Sequence, residues 1–98
     1  MHDSLILVTL TGPTEGQLAE LCKVLIGDRL AACANIVPKI RSIYRWAGQV
    51  QDEHEVLAIL HTTIGAFEPL VARVEEMHPY DVPQIVATDL LASDSYGR

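Results

Sequence analysis

The sequence predicts an α+β domain of ferredoxin-like βαββαβ order: a four-stranded antiparallel sheet with two helices on one face and a long hairpin between strands two and three. Three observations lead there. Strand-like apolar runs and helix-spaced apolar residues follow one another as strand, helix, strand, strand, helix, strand. Ala47-Gly48-Gln49 divides the longest apolar stretch into two arms, as a hairpin turn does. A chain of 98 residues, 49% hydrophobic and 20% charged, has the length and composition of one globular domain spanning residues 1–98.

The elements are justified in order. Leu5 to Leu10 is a nearly continuous apolar run with Thr9 inside it, which reads as a buried strand. Thr11-Gly12-Pro13 breaks it. Thr14 and Gln17 then fit a capping box. Leu18, Leu21, Cys22 and Leu25 form one helical face, with Gly27 as the expected C-terminal cap. Leu30 to Trp46 reads as a long strand. Pro38 cannot donate to a ladder, so an edge position, a bulge or a bend is expected there. Val50 to Thr62 is the return strand, and Thr63 to Gly65 ends it. Phe67, Leu70, Val71, Val74 and Met77 mark a second helical face, with Pro69 in its first turns. His78-Pro79-Tyr80 ends that helix, and Ile85 to Leu91 is the fourth strand.

Patterning also speaks to assembly. Val56 to Leu60 is apolar on both alternating faces, as is Leu5 to Val8. A sheet with one wet face alternates instead, and two helices cover only one face. The other face needs a partner, most simply another copy of the chain. The hairpin overhangs a domain of radius ~13 Å, and its end is placed to pair with a neighbour's edge strand.

Seven Lys plus Arg against thirteen Asp plus Glu give a net charge of −6. That argues against a surface tracking nucleic-acid phosphates, and 5% aromatic residues give no stacking platform for single strands. No apolar run approaches the ~18–20 residues of a membrane span. Met-His-Asp-Ser-Leu at the N-terminus has no basic-then-apolar leader, so a cytoplasmic protein is expected. Cys22 and Cys33 form no CxxC pair and are expected as thiols. There is no phosphate-cradling loop and no nucleophile–base motif, so no enzyme is predicted. His2 beside a free amine chelates copper without biological meaning.

Several residues have chemistry to offer. On a strand, Glu53 and Glu55 share one face while Asp52 and His54 share the other. Two carboxylates on one face suit a cation or acid–base work, and the alternative is a solvated strand start. His78, at a helix C-terminus, is a candidate metal ligand or a cation answering the helix dipole. His61 lies in an apolar strand, where a hydrogen-bonded core or interface residue is the commoner reading. Cys33 reads as a small buried hydrophobe, and Cys22 belongs to the first helix's apolar stripe. Tyr44 and Trp46 share a face with Ser42 and Ile40, and with Ile36 unless a bulge intervenes at Pro38. Packing or a ligand cleft would use them.

Several motifs occur in series. They are Arg29-Leu30-Ala31-Ala32-Cys33-Ala34-Asn35-Ile36, Ser42-Ile43-Tyr44-Arg45-Trp46 with Gly48, Glu55-Val56, Thr62-Thr63 and His78-Pro79-Tyr80 with Val82-Pro83. In this order and spacing they resemble the CutA family of divalent-cation tolerance proteins, from about Leu5 to Tyr96. The resemblance implies a ferredoxin-like subunit in a tight homotrimer whose long hairpins pair across subunits. It implies association with copper and other divalent cations, with no required cofactor and no established reaction.

Departures from the family pattern bear on the site. Family copper sites are proposed at a cysteine near the end of the first strand and a histidine pair before Pro-Tyr. Here those positions hold Leu10 and Met77-His78. Met77 offers a thioether for Cu(I). His61-Thr62 stands where relatives have Lys-Thr, and Pro83-Gln84 where they have Pro-Glu. Relatives also continue past Tyr96-Gly97-Arg98 into a short helix with a Trp, so a shortened end is expected. The leading expectation is a cytoplasmic homotrimer binding divalent metal, copper first, at His78 with Met77, in a role of metal tolerance. Cys33, Tyr44, Trp46, Glu53, Glu55, His61, Tyr80 and Gln84 are cleft or interface candidates. The alternative is a trimeric signalling or scaffold module, similar to the PII proteins, binding a small metabolite between subunits.

Overall fold

The computed structural model describes residues 4–80 and 83–96. His2 and Val82 lie outside the described residues. The elements run β1 (Leu5–Gly12), α1 (Glu15–Gly27), β2 (Cys33–Trp46), β3 (Gln49–Thr63), a short 3-10 turn (Ile64–Ala66), α2 (Phe67–Met77) and β4 (Ile85–Asp89). The sheet order is β2-β3-β1-β4, and every neighbouring pair is antiparallel. This is the expected ferredoxin-like arrangement.

Thr14 caps α1 as anticipated, its hydroxyl accepting the Gln17 amide at 3.2 Å. The other end differs from expectation. Gly27 is the last helical residue, not the cap. The left-handed position falls at Arg29, with φ of 61°. The Arg29 amide donates to Ile26 O at 3.0 Å and the Leu30 amide to Leu25 O at 2.8 Å. That pair of bonds closes the helix as a Schellman motif. Leu30 is thereby committed to the cap, so β2 begins later than the apolar run, at Cys33. The Thr62 hydroxyl ties this loop to β3 by donating to Leu30 O at 2.6 Å.

Pro38 sits where the ladder is interrupted. Val37 faces Leu57 and Ile40 faces Glu55, so β2 carries one extra residue between them. The bulge separates Ile36 from Tyr44. Ile36 lies opposite Ala58, in the core, whereas Tyr44 lies opposite Gln51 on the other face. Ala47 and Gly48, both with positive φ (52° and 78°), form the two-residue turn that pairs Trp46 with Gln49.

The core lies between the helices and one face of the sheet. Val8, Leu10, Leu60, Leu25, Leu70 and Val74 are fully buried there. Each contributes roughly 1.5–3 kcal/mol through removal from water. Along β3, Val56, Ala58, Leu60 and Thr62 are buried, while the alternating Leu57, Ile59 and His61 are half-buried on the face away from the helices. β1 pairs with β3 only from Thr63 back to Val56. From Gln49 to Glu55, β3 therefore pairs with β2 alone, in a two-stranded ribbon that extends the molecule to 46 Å in its long dimension. β4 stops at Asp89, shorter than the run to Leu91, which is fully exposed. Among the described residues no helix is long and apolar enough to cross a membrane.

Candidate functional site

The end of β1, the start of the ribbon and the loop after α2 meet in one polar cluster. His78 follows α2, capping it by donating its amide to Val74 O at 2.7 Å. Its side chain is 8% exposed. Nε2 lies 2.6 Å from the Thr11 carbonyl, and Nδ1 lies 3.1 Å from the Tyr80 amide. A carbonyl only accepts and an amide only donates. Nε2 therefore carries the hydrogen and Nδ1 carries the lone pair that Tyr80 occupies. Gly12 makes room for the ring: a Cβ there would stand 3.8 Å from Nε2 and 3.3 Å from Leu18 Cδ1.

This geometry revises the expectation for His78. Both ring nitrogens are engaged by backbone, so a cation reaches the imidazole only by displacing the Tyr80 amide. Met77 is 38% exposed, outside the core. It lines a mostly apolar cleft of about 370 Å³ with Gly12, Gly16, Gln17, His78 and Pro79.

Tyr80 continues the cluster. Its ring packs on His78 with centroids 4.8 Å apart, and its hydroxyl donates to Glu55 Oε2 at 2.7 Å. Glu55 is buried at the point where β3 outruns β1. Burial first, then the Glu55 bond and the neighbouring carboxylates, push the Tyr80 phenol well above its ordinary range. Tyr44 makes the matching contact one step along the ribbon, donating to Glu53 Oε2 at 3.1 Å. Glu53 and Glu55 share a face as predicted, each held by a phenol. On the other face Arg41 grips Asp52 with both forks, Nε to Oδ1 at 2.8 Å and Nη2 to Oδ2 at 2.7 Å. That bond holds the Asp52 carboxyl below the usual carboxylate range.

The remaining candidates lie elsewhere. Trp46 is at the ribbon tip, 64% exposed, near Val50 at 67%. Gln84 is exposed just before β4. Cys33 faces His61 across the β2–β3 ladder, at the sheet end remote from the ribbon tip. His61 Nδ1 meets the Tyr96 hydroxyl at 2.6 Å. Cys22 and Cys33 are both free thiols, and burial pushes the Cys22 thiol up. Among the described residues no three His, Cys, Asp or Glu side chains converge as a metal cage. Sequence reasoning missed the Arg41–Asp52 pair, although the turn at Ala47-Gly48 fixes the register that creates it. It also missed Tyr96 as the partner of His61, for which no local signal exists.

The fold and the cluster define a ferredoxin-like α+β domain whose polar residues gather at the sheet end and ribbon base. Residues 6–97 match the family described as CutA1 divalent ion tolerance protein. The chain belongs to that family. It is 49% identical over 80 residues to the divalent-cation tolerance protein CutA of Thermus thermophilus, covering 82% of this chain and 78% of that one. It is 40% identical to the chloroplastic CutA of Arabidopsis thaliana, covering 93% of this chain and 50% of that one. The chain spans about half the length of its plant and vertebrate relatives. The structure of CutA1 from Oryza sativa superposes with a TM-score of 0.90 at 35% identity, covering 97% of this chain and 87% of that one.

Proposed function

We propose that this chain works as a homotrimer that binds divalent cations, copper first, and serves metal tolerance in the cytoplasm. It acts by coordination, without turnover, and neither nucleic acid nor membrane has a part in it. The observation that carries this reading is the match of nearly the whole chain to a family described by divalent-ion tolerance. The compartment is the finer part of the proposal, because one relative is named chloroplastic and another periplasmic.

Self-association is supported by what one chain leaves uncovered. Ile43, Trp46 and Val50 stand exposed on the ribbon, and Leu57 and Ile59 are only half-buried on the sheet's open face. Covering such area is the ordinary driving force of assembly. For the cation, the chain supplies imidazole, thiol and carboxylate donors. His78 joins only by giving up the Tyr80 amide.

The test is sedimentation together with calorimetric titration by Cu(II) and Zn(II), using the full chain with His2→Ala to remove the N-terminal chelate. A trimer mass and saturable heat are expected. A monomer with no saturable heat overturns the reading.

A further inference from the structure

We propose that Cys33 and His61 form a binding site for a borderline-soft divalent cation of the Zn(II) class on the open face of the sheet, with Tyr96 orienting the imidazole. The inference rests on the cation-binding reading above and gives that reading a place.

The register supplies the first ground. Cys33 and His61 are direct cross-strand partners, so their side chains rise from the same face. Opposed residues hold their Cβ atoms ~4.5–5.5 Å apart. That spacing lets a sulfur and a ring nitrogen close on one ion at the ~2.3 Å and ~2.0–2.1 Å that Zn(II) takes.

The second ground is the state of the imidazole. His61 Nδ1 is 2.6 Å from the Tyr96 hydroxyl, with the rings edge to face at 89°. When Nδ1–H donates to the phenol oxygen, Nε2 keeps an uncommitted lone pair. This is how a ligating histidine is usually held: one nitrogen on the metal, the other donating to an orienting partner. His78 offers the opposite case, since both its nitrogens are taken by backbone.

The third ground is the setting of the sulfur. Cys33 is a free thiol, half-buried rather than enclosed, and its Sγ reaches the Asn35 side-chain oxygen only at 4.0 Å. Cys22 has no such setting, being enclosed among core residues. Tyr96 is 52% exposed in the single chain, so the cluster lies open to the remaining donors, supplied by water or by the copy that the self-association proposed above brings onto this face.

The experiment uses the full chain with His2→Ala, titrated with Zn(II) by calorimetry and with Co(II) by absorbance. Thiolate ligation gives Co(II) a near-ultraviolet charge-transfer band. One site per chain with that band is expected. Cys33→Ser should abolish the band. His61→Ala should weaken binding at least tenfold, with His61→Gln as a second variant should the first fail to fold. Tyr96→Phe should weaken binding by about tenfold or more, as loss of an orienting partner does. A band that survives Cys33→Ser, or affinity unchanged in both His61 variants, overturns the site. Saturable Zn(II) heat without any thiolate band overturns the site and leaves the cation reading standing. Absence of both signals overturns both.

Discussion

The imidazole of His78 donates to the carbonyl of Thr11 at 2.6 Å, joining residues 67 positions apart in the chain. The bond ties the end of α2 to the last turn of β1. The same ring accepts the Tyr80 amide, so one side chain positions the loop that carries Tyr80 onto Glu55.

Replacing His78 with Ala should therefore act on stability. It strands the Thr11 carbonyl and the Tyr80 amide and opens a cavity beside Gly12. Buried groups left without partners cost about 1–3 kcal/mol each. A loss of about 2–4 kcal/mol is expected, read from urea unfolding at fixed protein concentration. A loss under about 0.5 kcal/mol would mean that water replaces the ring without penalty.

Tyr80 predicts an alkaline limit. Its phenol holds its proton more tightly in the folded chain than in the unfolded one. The resulting stabilisation is complete below about pH 10 and is lost as pH rises through the raised folded value. Unfolding followed between neutral and strongly alkaline pH should show stability falling above about pH 10. Tyr80→Phe should flatten that fall. An identical slope in the variant would assign it to other groups.

Asp52 predicts an acid-side effect of opposite sense. The Arg41 bond lowers the carboxyl, so its contribution is present above about pH 4 and is lost as pH falls through the folded value. In Arg41→Ala the Asp52 titration, followed by carboxyl carbon NMR, should move up toward the ordinary value. Added salt should shrink the difference, because both groups are largely exposed. No movement would show the fork to be a weak contact in solution.

The ribbon turn is open to improvement. Ala47 adopts a left-handed conformation, with φ of 52°, that Asn tolerates better. Ala47→Asn should raise stability by about 0.5–1 kcal/mol, measured by thermal or urea unfolding. A decrease would indicate that Ala47 is packed against another copy.

Much of the fold was legible because its signals are local. Thr14 and Gln17 announce the α1 cap, Gly48 the turn, and Pro38 the bulge. The end of α1 was not legible, because Arg29 takes a conformation that Gly27 advertises. At the site, the shared face of Glu53 and Glu55 follows from strand alternation alone. The phenols that hold them arrive differently: Tyr44 by ribbon register, Tyr80 by a loop whose path depends on His78. Composition shows that a histidine is present, but only packing shows which of its nitrogens remain free. That is why His78, the stronger sequence candidate, emerges as a backbone clasp, and His61 emerges with an open nitrogen.

The single additional residue between Val37 and Ile40 acts as a frameshift in space. Everything beyond it on β2 is transposed by one position relative to the strand before it. Removing Lys39 would close the ladder by setting Pro38 opposite Val56, and every pair from Ile40 to Trp46 would keep its partner on β3. Tyr44 would stay on the face of Glu53 and Arg41 on that of Asp52, because cross-strand partners share a face and the turn at Ala47 and Gly48 sets the pairing. The deletion would instead remove the local bend and extra twist of the bulge, and so re-aim the whole ribbon relative to the sheet without touching the core.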